Sequence, residues 1–137
     1  LYAALPMLCE LLHFAGYDVQ IETNGTLFQP IPSSALVVCS PKTGKVHEKL
    51  LPFIAAYKYV GEAGNLLADG LPATALGYPA RPYLARPPEH YLGDVFLQPI
   101  DVQDPVENKK HLDAIVASCV QHGHRLCLQT HKIIGVP

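Results

Sequence analysis

Polar residues of this sequence collect in five places, each at the end of a short apolar run that is typical of a β-strand. These clusters are residues 22–26, 40–42, Lys58, 98–101 and 129–131. In parallel α/β folds the ligand lies beyond the carboxyl ends of the strands, because those ends meet at one edge of the sheet. Taken alone, each cluster is more readily explained as a turn or a cap. Their coincidence at one predicted edge favours a site for a polar small molecule.

The charged side chains of these clusters carry both signs. Glu22 and Asp101 suit the hydroxyl and ammonium groups of a ligand, whereas Lys42 and Lys58 suit carboxylates. A zwitterionic or sugar-bearing ligand fits this mixture better than a polyanion does. The sequence contains no G-x-G-x-x-G motif and no P-loop, which disfavours a dinucleotide or a nucleoside triphosphate.

Cysteine and histidine give little support for a metal site within the chain. No two cysteines have C-x-x-C spacing, and buried thiols explain them better than disulfides or metal ligands do. They are Cys9, Cys39, Cys119 and Cys127. A metal site at His111, His122 and His124 is an open alternative, but histidines around a helix-terminating glycine more often interact with the negative end of the helix. His131 differs, because it follows a predicted strand at the ligand edge.

The hydrophobic pattern predicts an alternation of helices and strands. Apolar residues at helical spacing, closed by Gly16, predict a helix over 4–15, and a second helix is predicted over 46–56. Short apolar runs predict strands over 17–22, 35–40, 57–60, 94–101 and 125–130.

The most sharply defined helix follows Asp104, its predicted N-cap. Pro105 occupies the first helical position, Glu107 completes a D-x-x-E pattern, and Gly123 ends the helix. Its apolar stripe, which we expect to face the sheet, consists of Leu112, Ile115, Val116, Cys119 and Val120.

This order of elements predicts one α/β domain over residues 1–137, with mostly parallel strands covered by helices, as in part of a barrel. Residues 61–93 interrupt the pattern, since they contain five prolines and five glycines. We predict a long loop on the surface of the domain, of the kind that is either functional or disordered.

Composition narrows the class of protein. The chain has 137 residues, of which 49% are apolar and 16% charged, and a net charge of −2. These values favour a packed core over a disordered tail and give no basic excess for non-specific nucleic-acid binding. We therefore expect no nucleic-acid partner, and because no apolar run is long enough to cross a bilayer, we expect no membrane partner. Cysteines interpreted as buried thiols are typical of a reducing cytoplasm, which is the location we expect. Because the chain begins at Leu1 inside an apolar helical pattern, we expect its N-terminal part to be missing.

Four segments resemble one enzyme family. "QIETNGT" (20–26), "VVCSPK" (37–42), "FLQPID" (96–101) and, most specifically, "RLCLQTHKIIGVP" (125–137) are similar to the C-terminal part of the 7-carboxy-7-deazaguanine synthases. These are radical S-adenosylmethionine (SAM) enzymes of queuosine and 7-deazapurine biosynthesis. The resemblance implies a modified partial (β/α) barrel of radical SAM type and a homodimer. It also implies conversion of 6-carboxy-5,6,7,8-tetrahydropterin to 7-carboxy-7-deazaguanine by hydrogen abstraction and ring contraction with loss of ammonia.

The same resemblance implies roles for individual residues. Two residues of the C-terminal segment would contact the pterin substrate: His131, and Pro137 through its main-chain carboxylate. The strand ends would bind SAM, with Glu22 and Asn24 also near polar groups of the substrate. These cofactor-binding residues are Glu22, Asn24, Ser40, Pro41, Lys42, Gln98, Pro99, Ile100 and Asp101.

Besides SAM, the family binds a 4Fe–4S cluster and Mg²⁺ and takes electrons from a donor such as flavodoxin. The resemblance implies that the cluster-binding cysteines and the magnesium-binding threonine lie upstream of Leu1, so that this chain alone would not assemble the cluster. Two alternatives stay open. One is a degenerate, non-catalytic fragment that binds SAM or a pterin, and the other is a different radical SAM enzyme, such as one that activates a glycyl-radical enzyme.

Overall fold

The computed structural model of the chain describes residues 4–75 and 83–136, apart from the side chain of Ile133. The elements follow in the order α1 (Leu5–Phe14), β1 (Val19–Thr23), β2 (Ala35–Cys39), a 3₁₀ helix (Glu48–Phe53), β3 (Ile54–Gly61), β4 (Asp94–Pro99), α2 (Pro105–His122), β5 (Arg125–Leu126) and α3 (Thr130–Ile133). No helix in the described ranges has the length and apolar character needed to span a membrane.

The strands form one five-stranded sheet in the order β1-β2-β3-β4-β5, and every neighbouring pair is parallel. The predicted α/β class with a parallel sheet is therefore confirmed. The strand order never reverses, which distinguishes the sheet from a doubly wound fold with its central switch point. Sequential parallel strands are the arrangement of (β/α) barrels, but this sheet is open at β1 and β5. A barrel of radical SAM type stays a prediction.

The two faces of the sheet differ in cover. One face carries Val37, Cys39, Tyr57, Tyr59 and Leu97, all at most 1% exposed, and the core forms there. On this face Ile115 of α2 approaches Gly61 so closely that a Cβ on that glycine would lie 2.7 Å from the Ile115 side chain. The opposite face carries the alternate residues of the same strands, and Leu36 on it is 58% exposed. Helical cover is thus concentrated on one side.

Residues 61–93 contribute to the core as well as to the surface. Leu71, Ala75 and Leu84 are buried in it, and the Tyr59 hydroxyl donates a 2.7 Å hydrogen bond to the carbonyl oxygen of Ala85. This segment therefore packs on the sheet between β3 and β4, where a (β/α) unit would place a helix. The prediction of a surface excursion was incomplete, because it took prolines and glycines as signs of exposure. Residues 76–82 lie outside the described part of the chain.

Helix α2 confirms its predicted ends. The Asp104 side chain accepts hydrogen bonds from the Val106 and Glu107 N–H groups, and Gly123 ends the helix in the left-handed conformation with φ 73°. Glu107 pairs with Lys110 at 2.7 Å. The predicted apolar stripe is wrong at Val116 and Val120, which are 38% and 82% exposed, because the face that meets the sheet is centred on Ile115 and Cys119.

Two predicted elements have wrong extents. The helix predicted over 46–56 is a 3₁₀ helix over Glu48–Phe53 that contains Pro52, and Ile54 already belongs to β3. The strand predicted over 125–130 ends at Leu126. Its last ladder bond runs from Cys127 N–H to Leu97 oxygen at 2.8 Å. The next parallel bond would need an N–H from Pro99, which has none.

Helix α1 forms as predicted, but little of its apolar surface is buried. Cys9 is its one buried residue within Leu5–Phe14. Met7, Leu11 and Phe14 are 60%, 59% and 85% exposed. At the spacing i, i+4 and i+7 these three side chains form one apolar stripe on the solvent side of the helix.

Candidate functional site

The carboxyl ends of β1 to β4 meet at one edge of the sheet, and an open groove of about 300 Å³ lies there. Five of the predicted site residues line this groove together: Glu22, Asn24, Ser40, Lys42 and Gln98. Thr23, Lys58 and Val60 complete the lining. Residues from four separate strand ends therefore converge on one place, although their roles there stay predictions.

The β1 and β2 ends are held by local hydrogen bonds. The Asn24 side-chain oxygen accepts hydrogen bonds from the Thr26 N–H and hydroxyl groups at 3.0 and 2.8 Å. The Ser40 N–H donates to the Thr23 carbonyl oxygen at 2.7 Å, which ties the two strand ends together. Gly25 has φ +78°, and a Cβ there would lie 2.8 Å from Cys39 Sγ. Asn24-Gly25 is thus a tight turn at the groove rather than a mobile tip.

Opposite charges face each other in the groove. Lys58 Nζ lies 3.6 Å from Glu22 Oε1, and the two side chains are 24% and 53% exposed. Lys42 is exposed nearby, and Gln98 adds an amide. Such a site offers cations to a carboxylate and acceptors to hydroxyl or ammonium groups, which is the mixed chemistry expected from the sequence. Pro41 differs from its neighbours, because it is fully buried and therefore supports the turn from within.

A second, smaller groove lies beside the β4 end. It measures about 180 Å³, and Pro99, Ile100 and Asp101 line it from the predicted site. Asn108, Leu112, Leu128, Gln129 and Lys132 form the remainder of its wall. The predicted stretch Gln98–Asp101 thus spans two grooves, with Gln98 in the first and the other three residues in the second.

Asp101 is the most heavily bonded carboxylate of this edge. Lys132 Nζ donates to its Oδ2, while the Gln103 N–H and the Asn108 amide donate to its Oδ1 at 2.8 and 2.7 Å. These hydrogen bonds, that of Lys132 first, hold the pKa of Asp101 well below its usual range. Asp101 is therefore an anion at any physiological pH.

The two predicted substrate residues lie apart from the groove. His131 is on α3 and exposed, and it lines neither groove. It was expected to follow a closing strand, but that strand is short and a helical turn takes its place. Pro137 lies outside the described residues.

The histidines considered as metal ligands make other contacts. His111 Nδ1 accepts a 3.0 Å hydrogen bond from Ala63 N–H, and His124 Nε2 lies 3.0 Å from the Asp69 carbonyl oxygen. His122 stacks on His124 with ring centroids 5.8 Å apart. In the described ranges no three His, Cys, Asp or Glu side chains converge in a way that could hold a metal ion. These histidines instead fasten residues 61–93 to α2.

Three of the lining residues carried weak or no signals in the sequence. Lys58 was recognised at a strand end, and its alternation with Tyr57 and Tyr59 could have assigned it to the groove face. Asn108 looks like an ordinary polar residue of the predicted helix, and Lys132 like a polar residue after the last predicted strand. Their contacts with Asp101 join residues 7 and 31 positions apart, which no local pattern reveals.

Comparison with known proteins gives one consistent name. No family model matches the chain. A 7-carboxy-7-deazaguanine synthase of Rhodospirillum rubrum is 40% identical over 130 residues, which cover 88% of this chain and 54% of the relative. The enzymes of the same name from Rickettsia prowazekii and Bordetella pertussis are 34% and 36% identical over 95% of the chain, with 53% and 52% of the relatives covered. The chain thus spans about half the length of these relatives. Over most of its length it is similar to the C-terminal portion of the 7-carboxy-7-deazaguanine synthase family.

Proposed function

We propose that this chain forms the C-terminal part of an enzyme that converts 6-carboxy-5,6,7,8-tetrahydropterin to 7-carboxy-7-deazaguanine, by radical hydrogen abstraction and ring contraction with loss of ammonia. One observation carries the proposal. Three of the segments that resemble this family, 20–26, 37–42 and 96–101, contain the groove-lining residues Glu22, Asn24, Ser40, Lys42 and Gln98, which come from separate strand ends and converge in one groove. The name of the relatives supports the same function.

The side chains of the groove support S-adenosylmethionine as its proposed ligand. That cofactor carries a carboxylate, an ammonium group and ribose hydroxyls, and the groove offers lysines, a carboxylate, a hydroxyl and amides. We propose that Ser40 and Lys42 bind it from the β2 end and Gln98 from the β4 end, with Glu22 and Asn24 at their side. Bound beside a reduced 4Fe–4S cluster, SAM would supply the radical chemistry of the proposed reaction. The residues of this chain would bind and orient SAM.

The substrate would lie towards the C-terminal segment. We propose that His131 and the main-chain carboxylate of Pro137 contact the pterin. The 4Fe–4S cluster and Mg²⁺ would be held by residues outside this chain, as expected from the resemblance. The working enzyme would be a homodimer in the cytoplasm that takes electrons from a donor such as flavodoxin.

The test is an anaerobic assay of the full-length protein after reconstitution of its cluster. We expect SAM-dependent formation of 7-carboxy-7-deazaguanine, identified by mass. Lys42→Ala should weaken SAM binding. The control is Lys109→Ala, which replaces an exposed lysine of α2 and should leave SAM binding unchanged. A reconstituted protein that binds SAM or the pterin but forms no deazapurine would instead identify the chain as part of a non-catalytic binding protein.

A further inference from the structure

Helix α3 is a poorly supported element that carries a proposed substrate residue. It has four residues, too few for a helix that is stable by itself in water. Thr130, His131, Lys132 and Ile134 are all exposed. Within the described residues, a single side-chain hydrogen bond or ion pair joins 130–136 to the remainder of the chain. It links Lys132 Nζ to Asp101 Oδ2.

The Asp101 carboxylate, which accepts this bond, is also held by contacts that do not involve Lys132. Asp101 is held through its other oxygen by the Gln103 N–H and the Asn108 amide. Asn108 is on α2, and its side-chain oxygen in turn accepts the Val102 N–H at 2.9 Å. Gln103 has φ 61°, a conformation that residues other than glycine rarely adopt. The loop that presents the Asp101 carboxylate is therefore tightly determined by its own contacts.

We propose that Asp101 and Lys132 form a clamp that fixes α3, and with it His131, beside the carboxyl ends of β4 and β5. Both are positioning residues, since they act through the placement of the helical turn that carries His131. This role rests on the proposed function only for its effect on the substrate. The clamp itself is a property of the fold and can be tested without turnover.

The clamp differs from the exposed ion pairs within α2, and resembles the 2.7 Å pair of Arg125 and Asp94 in joining distant parts of the chain. Lys109 and Asp113 pair at 2.6 Å within α2 and are only four residues apart, so their pair does not connect separate elements. The Asp101–Lys132 pair connects residues 31 positions apart on separate elements. Exposed pairs contribute little to global stability. Loss of the clamp should therefore change the position of α3 and leave the sheet and α2 unaltered.

The first test is hydrogen–deuterium exchange of the full-length protein, read in peptides that cover residues 127–136. Lys132→Met should raise exchange there by about two- to fivefold, the range expected for loss of one exposed charge pair. Peptides of α2 should not change. Lys132→Arg should keep the protection, and Lys109→Met is the matched control. Unchanged exchange over 127–136 in Lys132→Met would overturn the clamp.

The second test links the clamp to the substrate. In the reconstituted full-length enzyme we expect Lys132→Met to raise KM for the carboxy-tetrahydropterin by about two- to fivefold, with rescue by Lys132→Arg. Increased exchange with unchanged KM would mean that α3 is clamped but does not position a substrate residue. Absence of turnover in the wild-type enzyme would overturn the proposed function and leave the exchange result valid.

Discussion

Side chains at the strand-end groove differ in what they already bond to. The Asn24 oxygen accepts two hydrogen bonds from Thr26, so it maintains the turn whatever binds nearby. The exposed Lys42 ammonium group and the Gln98 amide line the same groove and can turn towards a ligand. Substitutions at these positions should therefore affect different properties.

Asn24→Ala should lower the free energy of unfolding by about 1 kcal/mol, because it removes side-chain hydrogen bonds of a tight turn. Lys42→Ala should change it by no more than about 0.5 kcal/mol, as is usual for an exposed side chain. Urea titration of both variants measures the difference. Equal destabilisation would show that Lys42 supports the fold as much as Asn24 does.

Cys39 allows a test of burial and pH together. It is fully buried, and desolvation raises its pKa from 9.0 to about 11. Its native thiol should therefore resist iodoacetamide near pH 8, while the partly exposed Cys127 reacts first. Because the folded pKa is raised, the contribution of this thiol to stability is complete below pH 9 and is lost as pH rises towards 11. Mass spectrometry of the native protein locates the labels, and equal labelling of Cys39 and Cys127 would contradict its burial.

The structural roles of residues could be predicted best where they depend on neighbours in sequence. Asp104 and Gly123 were recognised as the helix ends because capping depends on neighbours in sequence. Lys132 could not be assigned a partner, because its bond to Asp101 depends on how β4 and α3 meet in space. The strand-end residues lie between these cases: their edge was predictable, and their division between two grooves was not.

At the scale of elements, residues 61–93 pack closely against α2. The Ser118 hydroxyl donates to the Gly70 carbonyl oxygen at 2.7 Å, and a Cβ on Gly70 would meet Ser118 and His122. Gly64 in the same segment has a similar φ, +82° against +76°, but nothing within 4 Å of its Cβ position. Substitution of each glycine by alanine therefore distinguishes the cost of backbone strain from the cost of a packing clash.

Gly64→Ala should destabilise the protein by about 1–2 kcal/mol through its left-handed backbone alone. Gly70→Ala should cost about 1–3 kcal/mol more, because the helix or the loop must move. Denaturant unfolding of both variants gives the difference directly. Equal losses in the free energy of unfolding would contradict close packing of Gly70 against α2.

Elements were predicted well when the pattern and the backbone chemistry agreed. Apolar runs identified the first four strands to within a few residues. The predicted helix over 46–56 was wrong in type because Pro52 restricts it to a short 3₁₀ turn. The last strand was overestimated because its apolar pattern says nothing of Pro99 on the neighbouring strand, where the ladder stops.

At the scale of the whole molecule, the sheet is parallel but has strong cover on one face only. Parallel sheets are normally covered on both faces. Here Leu36 on the open face and the stripe of Met7, Leu11 and Phe14 on α1 are exposed apolar surface. The sequence indicates that these surfaces are apolar. It does not indicate that the described residues leave them uncovered, because that depends on which elements pack against them in space.

The α1 stripe leads to a prediction about association. Exposed apolar surface of this kind marks sites of contact with other proteins, and a homodimer is part of the proposed function. The isolated 137-residue chain should therefore self-associate as its concentration rises, and Leu11→Glu should shift it towards the monomer. Glutamate and leucine have similar helix propensities, so the helix itself should persist.

Sedimentation velocity over a range of concentrations measures this association. Leu92→Glu is the matched control, because Leu92 is 99% exposed in residues 61–93 and lies outside the stripe. The control should associate like the wild-type chain, and circular dichroism should be the same for all three proteins. A wild-type chain that stays monomeric at every concentration, or a Leu11→Glu chain that associates as strongly, would mean that the α1 stripe is not the contact surface.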